Sequence, residues 1–175
     1  MNTNSESSSN TPAVSAISSA PCLPLADALG FVASRRSKGE KIVFTNGCFD
    51  LLHPGHIDYL LRARALGDVL IIGLNDDDSI RELKGPLRPI NKLSDRAVML
   101  GALACVDLVV PFNEQTPLKL IASLLPDVLV KGGDYRPDEI VGATEVRNHG
   151  GQVVVMPFIG GYSSSALIQR IVERH

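Results

Sequence analysis

An α/β fold, Rossmann-like and doubly wound, with about five parallel strands and helices on both faces of the sheet, is predicted by three features of the sequence. Short apolar runs of strand length recur at Ile42–Thr45, Asp68–Ile72, Val106–Val110, Asp127–Val130 and Gln152–Val155. Strands apolar on both faces belong in a parallel sheet shielded from water on both sides. Stretches with helical spacing alternate with these runs, the grammar of βαβ units. Right-handed crossovers then bring the C-terminal end of every strand to one edge. The loops starting at Thr45, Gly73, Pro111, Lys131 and Met156 share that edge, where ligands of such folds bind.

Taken in order, residues 1–22 are rich in Ser, Asn and Thr and hold few large apolar side chains. They cannot offset the entropy of ordering and are expected to form a disordered tail ahead of a single domain, residues 23–175. Leu23–Lys38 has helical spacing through Leu25, Leu29 and Val32 and stops at Gly39. The strand that follows ends near Thr45, where Asn46-Gly47 breaks it, and Pro54 is pre-set to open a helix over Gly55–Leu66. Further helices are expected at Asp76–Leu83, Leu93–Ala104 with Ser94 or Asp95 as cap, Pro117–Leu124, Pro137–His149 and Ser163–Val172.

The chain has 175 residues, 45% of them hydrophobic, a net charge of −2 and three cysteines. That suits one ordinary core and gives no basic surface for nucleic acid, so a nucleotide partner would be a small molecule. Cysteines odd in number and at no framework spacing point to a reducing compartment. No apolar run approaches the ~20 residues that span a bilayer, and no Lys or Arg precedes Arg35, which argues against a secretory signal. A cytoplasmic location with no membrane partner is the expectation.

The chemistry concentrates in Lys41–Leu60. His53 and His56 flank Gly55 at a helix N-terminus, where unpaired backbone N–H groups and the helix dipole favour a phosphate. Gly47 and Gly55 leave room for a ligand near the backbone, and Asp50 sits between them. After the second strand and Asn75, Lys84 and Arg88 lie among Gly85, Pro86 and Pro89, a stretch too interrupted for a helix and basic enough for a polyphosphate. The alternative is two solvated surface charges. The fourth strand ends in Lys131, Gly132, Gly133, Asp134 and Tyr135, offering opposite charges for phosphate and hydroxyl groups, although glycines there also suit a plain turn. Gly160-Gly161-Tyr162-Ser163-Ser164-Ser165 opens the last helix, where hydroxyls can cap the helix or donate to a phosphate.

Thr45-Asn46-Gly47-Cys48-Phe49-Asp50, followed by His53-Pro54-Gly55-His56, resembles the signature of the HxGH nucleotidyltransferase superfamily, which includes the cytidylyltransferases and phosphopantetheine adenylyltransferase. Arg96, Met99 and Leu100 resemble its Arg-x-x-Met-Leu element. Tyr162–Ile168 resembles its Ile-Ser-Ser/Thr-Thr-x-Ile element, with Tyr162 in place of the usual isoleucine. Over residues 40–172 the chain is similar to the adenylyltransferase domain of the bacterial heptose-phosphate pathway. That resemblance implies transfer of AMP from ATP to D-glycero-β-D-manno-heptose 1-phosphate, releasing pyrophosphate and giving the ADP-heptose precursor of lipopolysaccharide core.

The same resemblance implies His53, His56 and Lys84 as catalytic groups. It implies Thr45, Asn46, Gly47, Cys48, Phe49, Gly55, Arg88, Arg96, Lys131, Gly132, Tyr162, Ser163, Ser164 and Ser165 around the nucleotide and its phosphates. Asp50, Asn75, Asp134 and Tyr135 would meet the sugar phosphate. Mg2+ is expected to arrive on ATP oxygens, with no protein metal site, and a homodimer is expected by family analogy. Relatives often carry a sugar-kinase domain in front, so this chain is expected to be a stand-alone form.

Other chemistries fit less well. Cys48, Asp50, His53 and His56 make a poor tetrahedral zinc set, with the histidines three apart across Pro-Gly. Nothing arranges a partner base for Cys48 as nucleophile, and G-x-G-x-x-G and G-x-x-x-x-G-K-[ST] are both absent. Two alternatives stay open: a cytidylyltransferase acting on glycerol 3-phosphate or another phospho-polyol, and a nucleotide sensor that binds without turnover.

Overall fold

The computed structural model describes residues 19–136 and 138–174. Among these residues the elements are α1 (Leu25–Arg36), β1 (Ile42–Gly47), α2 (Pro54–Arg64), β2 (Val69–Asn75), α3 (Asp77–Lys84), α4 (Leu93–Gly101), β3 (Leu108–Phe112), α5 (Leu118–Leu124), β4 (Val128–Gly132), α6 (Ala143–Asn148), β5 (Gln152–Met156) and α7 (Ser164–Val172). The five strands run parallel in the order β3-β2-β1-β4-β5. The chain winds outward from β1 to β3 and then crosses back to β4, so the order switches between β1 and β4.

Alternate strand residues feed two cores. Ile42 and Phe44 join Val69, Ile71, Leu108 and Val110 under α1, α5 and α6, which contribute Ala28, Val32, Ile121, Leu124 and Val146. Val43 joins Leu70, Ile72, Val109 and Val130 under α2 and α4, which contribute Leu60, Ala63, Ala97 and Leu100. Burying one such Leu, Ile or Val side chain is worth about 1.5–3 kcal/mol. Double-sided burial also fixes register, because a one-residue slip would exchange Val43 and Phe44 between the cores. Aspartates at the strand starts set where pairing begins: Lys41 N donates to Asp68, Ile42 N to Asp127 and Leu70 N to Asp107, at 2.8, 2.7 and 2.8 Å. They satisfy main-chain donors that have no ladder partner at that edge.

Several boundaries depart from expectation for local reasons. β1 continues past Thr45 because Asn46 and Gly47 still pair with Gly73 and Leu74 of β2, and a neighbouring strand outweighs turn propensity. Lys84 is helical, in the last turn of α3, which stops at Gly85 with φ +93°. Lys92 occupies the N-cap position of α4, with Ser94 and Asp95 inside its first turn. α6 begins at Ala143 because Gly142 holds φ +85°, where a Cβ would also meet Ile121 at 2.7 Å; Pro137, its expected start, lies outside the described residues.

Most of the expected tail also lies outside the described residues, but its last part is ordered. Val109 N donates to Pro21 O at 3.0 Å and Leu23 N to Val109 O at 2.9 Å, so Ala20–Leu23 covers part of the open edge of β3. Gly101 admits this segment, since a Cβ there would stand 2.6 Å from the Ala20 carbonyl oxygen. Among the described residues no helix is long and apolar enough to cross a membrane.

Candidate active site

Where β1 and β4 part at their C-terminal ends, a cleft of about 320 Å³ opens at the topological switch point. Asn46 and Gly47 of β1, the Cys48–Asp50 turn, His56 and Tyr59 of α2, and Lys84 of α3 line one side of the chain path. Lys131 and Gly132 of β4, Tyr135, Phe158 and Ser164 complete it.

The start of α2 places both histidines. His53 is the N-cap: its Nδ1 accepts the His56 backbone N–H at 3.3 Å, and Pro54 takes the first helical position. Because Nδ1 accepts, the neutral His53 ring carries its proton on Nε2. The two rings stack with centroids 3.7 Å apart, and Phe49 tilts against His56 at 5.3 Å. His56 lines the cleft, whereas His53 stands behind it on a shallower surface with Leu52, Pro54 and Ile57. A Cβ on Gly55 would come within 3.1 Å of Tyr162 Cβ and 3.2 Å of His53 Nδ1, so the glycine lets the chain before α7 close over this turn.

Burial, followed by the charges of His53 and Lys84, brings the pKa of His56 down to about 4, and burial also lowers that of His53. The buried Nδ1 of His56 closes no hydrogen bond of normal geometry, although the Leu51 backbone lies close enough to favour the charged ring slightly. With Nδ1 buried against the Leu51 backbone, the nitrogen left to meet an anion in the cleft is Nε2, and an anion there offsets the burial that keeps the ring neutral.

Lys131 is the strand-end cation. Its Nζ reaches Asn46 Oδ1 at 3.4 Å and lies 5.8 Å from the Tyr135 ring centroid, and burial holds its pKa below the ordinary lysine value. Its described contacts are a neutral amide and an aromatic face, which leaves the charge for an anion. At the start of α7, Ser163 is the cap and accepts from Ala166 N at 3.0 Å, while Ser164 donates to Leu51 O at 3.1 Å and faces the cleft. Ser165 faces a separate groove beside Arg88 and Ile168, and Tyr162 stacks on His53 at 6.1 Å.

A polar clasp behind the cleft ties its loops together. Arg96 is wholly buried; Nη1 donates to the Cys48 and Asn75 carbonyls at 2.7 Å each, Nε to Asn91 O at 3.0 Å, and Nη2 pairs with Asp77 at 2.7 Å. Asp50 accepts from Ile90 N at 2.8 Å, Asn91 N at 2.9 Å and Arg88 Nε at 2.6 Å, and Asn91 Nδ2 donates back to Asp50 O at 2.7 Å. Burial alone would raise the Asp50 pKa, but the Asn91 and Ile90 N–H groups and Arg88 outweigh it and hold the carboxyl below its usual range.

These contacts redirect several residues that were expected to touch ligand. Arg96 is a tie between loops and forms no part of the cleft lining. Asp50 edges the cleft, but its carboxylate is committed to the 88–91 strap instead of a sugar. Arg88 pairs with Asp50 through Nε at 2.6 Å, and its Nη2 is buried without a described partner. Asn75 turns inward, its Nδ2 3.3 Å from Ser79 Oγ. Thr45 is fully buried and shares a 2.7 Å hydrogen bond with the Tyr59 hydroxyl, and Asp134 is exposed outside the lining.

Residues 44–170 match the cytidylyltransferase-like family. The chain belongs to that family. It is 56% identical over 138 residues to the bifunctional protein HldE of Shewanella amazonensis, a match covering 79% of this chain and 29% of that protein. Against the bifunctional protein HldE of Haemophilus influenzae it is 56% identical over 140 residues, covering 80% and 29%. The chain thus spans under a third of the length of these curated relatives. Among solved structures, the lipopolysaccharide core biosynthesis protein from Thermoplasma volcanium superposes with a TM-score of 0.57 at 27% identity, covering 69% of this chain and 98% of that one. Pantoate-beta-alanine ligase from Francisella tularensis superposes at 0.55 with 16% identity, covering 88% and 78%, and shares the fold alone.

Two residues of this cytidylyltransferase-like cleft escaped the reading of motifs. Tyr59 follows His56 by three positions, so helical periodicity puts both on one face of α2. Burial pushes its phenol up to about 12, and its hydroxyl, shared with Thr45, also reaches Val130 O at 3.3 Å. Phe158 follows β5 by two residues, tilts against Tyr59 at 5.7 Å and covers Gly132, where a Cβ would lie 2.4 Å from its ring. Its position just past a strand's C-terminal end was the available signal.

Proposed function

We propose that the chain transfers AMP from ATP to D-glycero-β-D-manno-heptose 1-phosphate, giving ADP-heptose for lipopolysaccharide core and pyrophosphate. One observation carries the reaction class: His56, kept neutral by burial, shares a cleft with Lys84, Lys131 and Ser164. The substrate assignment is supported by the sequence resemblance to heptose 1-phosphate adenylyltransferases. It is supported too by the likeness to HldE proteins and to a structure named for lipopolysaccharide core biosynthesis.

In the proposed reaction an acceptor phosphate oxygen attacks the α-phosphorus of ATP in line. That P–O bond forms as the bond to the β-phosphate oxygen breaks, and pyrophosphate leaves with the electron pair. The protein's part is to position two anions and stabilise charge on the transferring group. His56 and the first N–H groups of α2 donate to the α-phosphate, and binding that anion raises the His56 pKa toward the charged form. His53 holds the helix start and backs the His56 ring, a narrower role than that of a second donor. Lys84 and Lys131 approach from α3 and β4, and Ser164 from α7.

Mg2+ in this proposal is bound through ATP oxygens, where it neutralises phosphate charge. The donor set agrees with that route: Asp50, the carboxylate among the residues lining the cleft, is already committed to Ile90, Asn91 and Arg88. A cytoplasmic location and a homodimer belong to the same proposal by family analogy, and sedimentation measures the second.

Pyrophosphate release across ATP, CTP and GTP, each with heptose 1-phosphate or glycerol 3-phosphate, tests the assignment. ATP with heptose 1-phosphate is expected to react fastest. Preference for CTP with glycerol 3-phosphate would make the chain a cytidylyltransferase for phospho-polyols, and nucleotide binding without release in any pair would make it a sensor. His56→Ala is expected to cut turnover on the order of hundredfold with a melting temperature near the parent's.

A further inference from the structure

A second compartment, of about 190 Å³ against about 320 Å³ for the main cleft, adjoins the cleft at Asn46 and Lys131. Asn46, Lys131 and Tyr135 line both spaces, while Pro117, Glu139 and Ile140 belong to the smaller one alone. We infer that this compartment receives the acceptor, a phosphorylated monosaccharide or polyol, and that Glu139 determines specificity by accepting hydrogen bonds from its hydroxyls. The inference rests on the adenylyl transfer proposed above.

Three observations lead to it. In-line displacement puts the attacking oxygen and the departing pyrophosphate on opposite sides of the α-phosphorus. His56, Lys84 and Ser164 line the main cleft and not the smaller compartment, so an acceptor seated in that compartment reaches a phosphorus held in the cleft past the Asn46–Lys131 wall they share. The two chambers also differ in size as the two substrates do.

Charge gives the acceptor a direction. Lys131 supplies a largely buried ammonium at the shared wall, and Glu139 supplies a carboxylate beyond it. A phosphate is drawn to the lysine end and hydroxyls are left facing the glutamate, whereas a triphosphate would be repelled there. Glu139 is held by a loose 3.7 Å contact to Arg136 with its side chain 60% exposed, so its oxygens remain free to accept. Ile140, Pro117 and Val141 give an apolar floor for the C–H face of a ring.

The test is steady-state pyrophosphate release by the parent protein, Glu139→Gln and Val141→Trp, with each substrate varied at saturating levels of the other. Glu139→Gln is expected to raise KM for heptose 1-phosphate about tenfold or more, the worth of a charged hydrogen bond, and to leave KM for ATP within about twofold. Val141→Trp, which fills the floor, is expected to abolish saturation by the acceptor while ATP still binds. Unchanged acceptor KM in both variants overturns the inference and leaves adenylyl transfer standing. Should the parent protein turn over no pair, adenylyl transfer fails by itself. Saturation-transfer NMR of heptose 1-phosphate with a non-hydrolysable ATP analogue then decides: signal lost in Val141→Trp supports the compartment, and signal retained there, or absent from the parent, overturns it.

Discussion

Replacing Arg96 by alanine separates a tie between loops from a contact to phosphate. The guanidinium is fully buried and serves the carbonyls of Cys48, Asn75 and Asn91 together with the Asp77 carboxylate. A buried acceptor left without a donor costs about 1–3 kcal/mol, and removing one member of a buried charged pair costs about 3–5 kcal/mol. Water entering the vacated space recovers part of this, above all at Asp77, whose side chain is 29% exposed. The expected net loss is about 3–5 kcal/mol, or a fall in melting temperature of about 6–20 °C at roughly 2–4 °C per kcal/mol. Arg96→Lys keeps the charge but lacks the planar fork, and should fall between. Calorimetry of the three proteins gives the melting temperatures, and KM for ATP is measured where all are folded. An Arg96→Ala protein that melts within about 2 °C of the parent while its KM for ATP rises tenfold would refute the tie and return Arg96 to the phosphates.

The remaining predictions concern the same neighbourhood. Asp50→Asn removes the charge that pairs with Arg88 and turns an amide N–H or a neutral oxygen toward its guanidinium while keeping an acceptor for Ile90 and Asn91 N–H; stability should fall by about 3–5 kcal/mol, with hydrogen exchange rising first at residues 88–91. His56 carries a folded pKa of about 4 against about 6.5 when unfolded, so the unfolded chain binds more protons between these values. Stability is then unaffected above about pH 6.5 and lost as pH falls toward 4, by on the order of 1–2 kcal/mol after solvent screening. The melting temperature of the parent should fall relative to that of His56→Gln as pH falls through that window, and parallel curves would contradict the linkage. Gly132→Ala should displace the Phe158 ring, 2.4 Å from the new Cβ but itself 55% exposed, into solvent. KM for nucleotide should change with little loss of melting temperature, and a large loss would mean that the ring is locked in place.

What the sequence revealed was what depends on neighbours along the chain. The runs around Ile42, Leu70, Val109, Leu129 and Val154 marked the strands because burial on both faces leaves a continuous apolar signature. Pro54 and His53 marked the start of α2 because capping is local chemistry. What stayed hidden depends on partners far off in sequence. Nothing near Arg96 shows that Cys48 O, 48 positions away, will accept a hydrogen bond from it, and the resemblance alone pointed it at phosphate. The contacts of Thr45 and Asn75 were hidden in the same way, since a hydroxyl or amide at a strand end has the same composition whether it faces a ligand or Tyr59 and Ser79. Lys84 misled in the opposite sense, because Gly85 and Pro86 after it suggested a loop although the helix runs up to it.

The clasp bears on how this scaffold can change over evolutionary time. Arg96 and Asp50 stitch the turns at 48–50, 75–77 and 88–91 into one unit, so an insertion in any of them would drag the other two out of place. The 133–141 segment takes no part in the bonds described for either residue. That segment can lengthen, shorten or change its side chains while the histidine turn stays where it is.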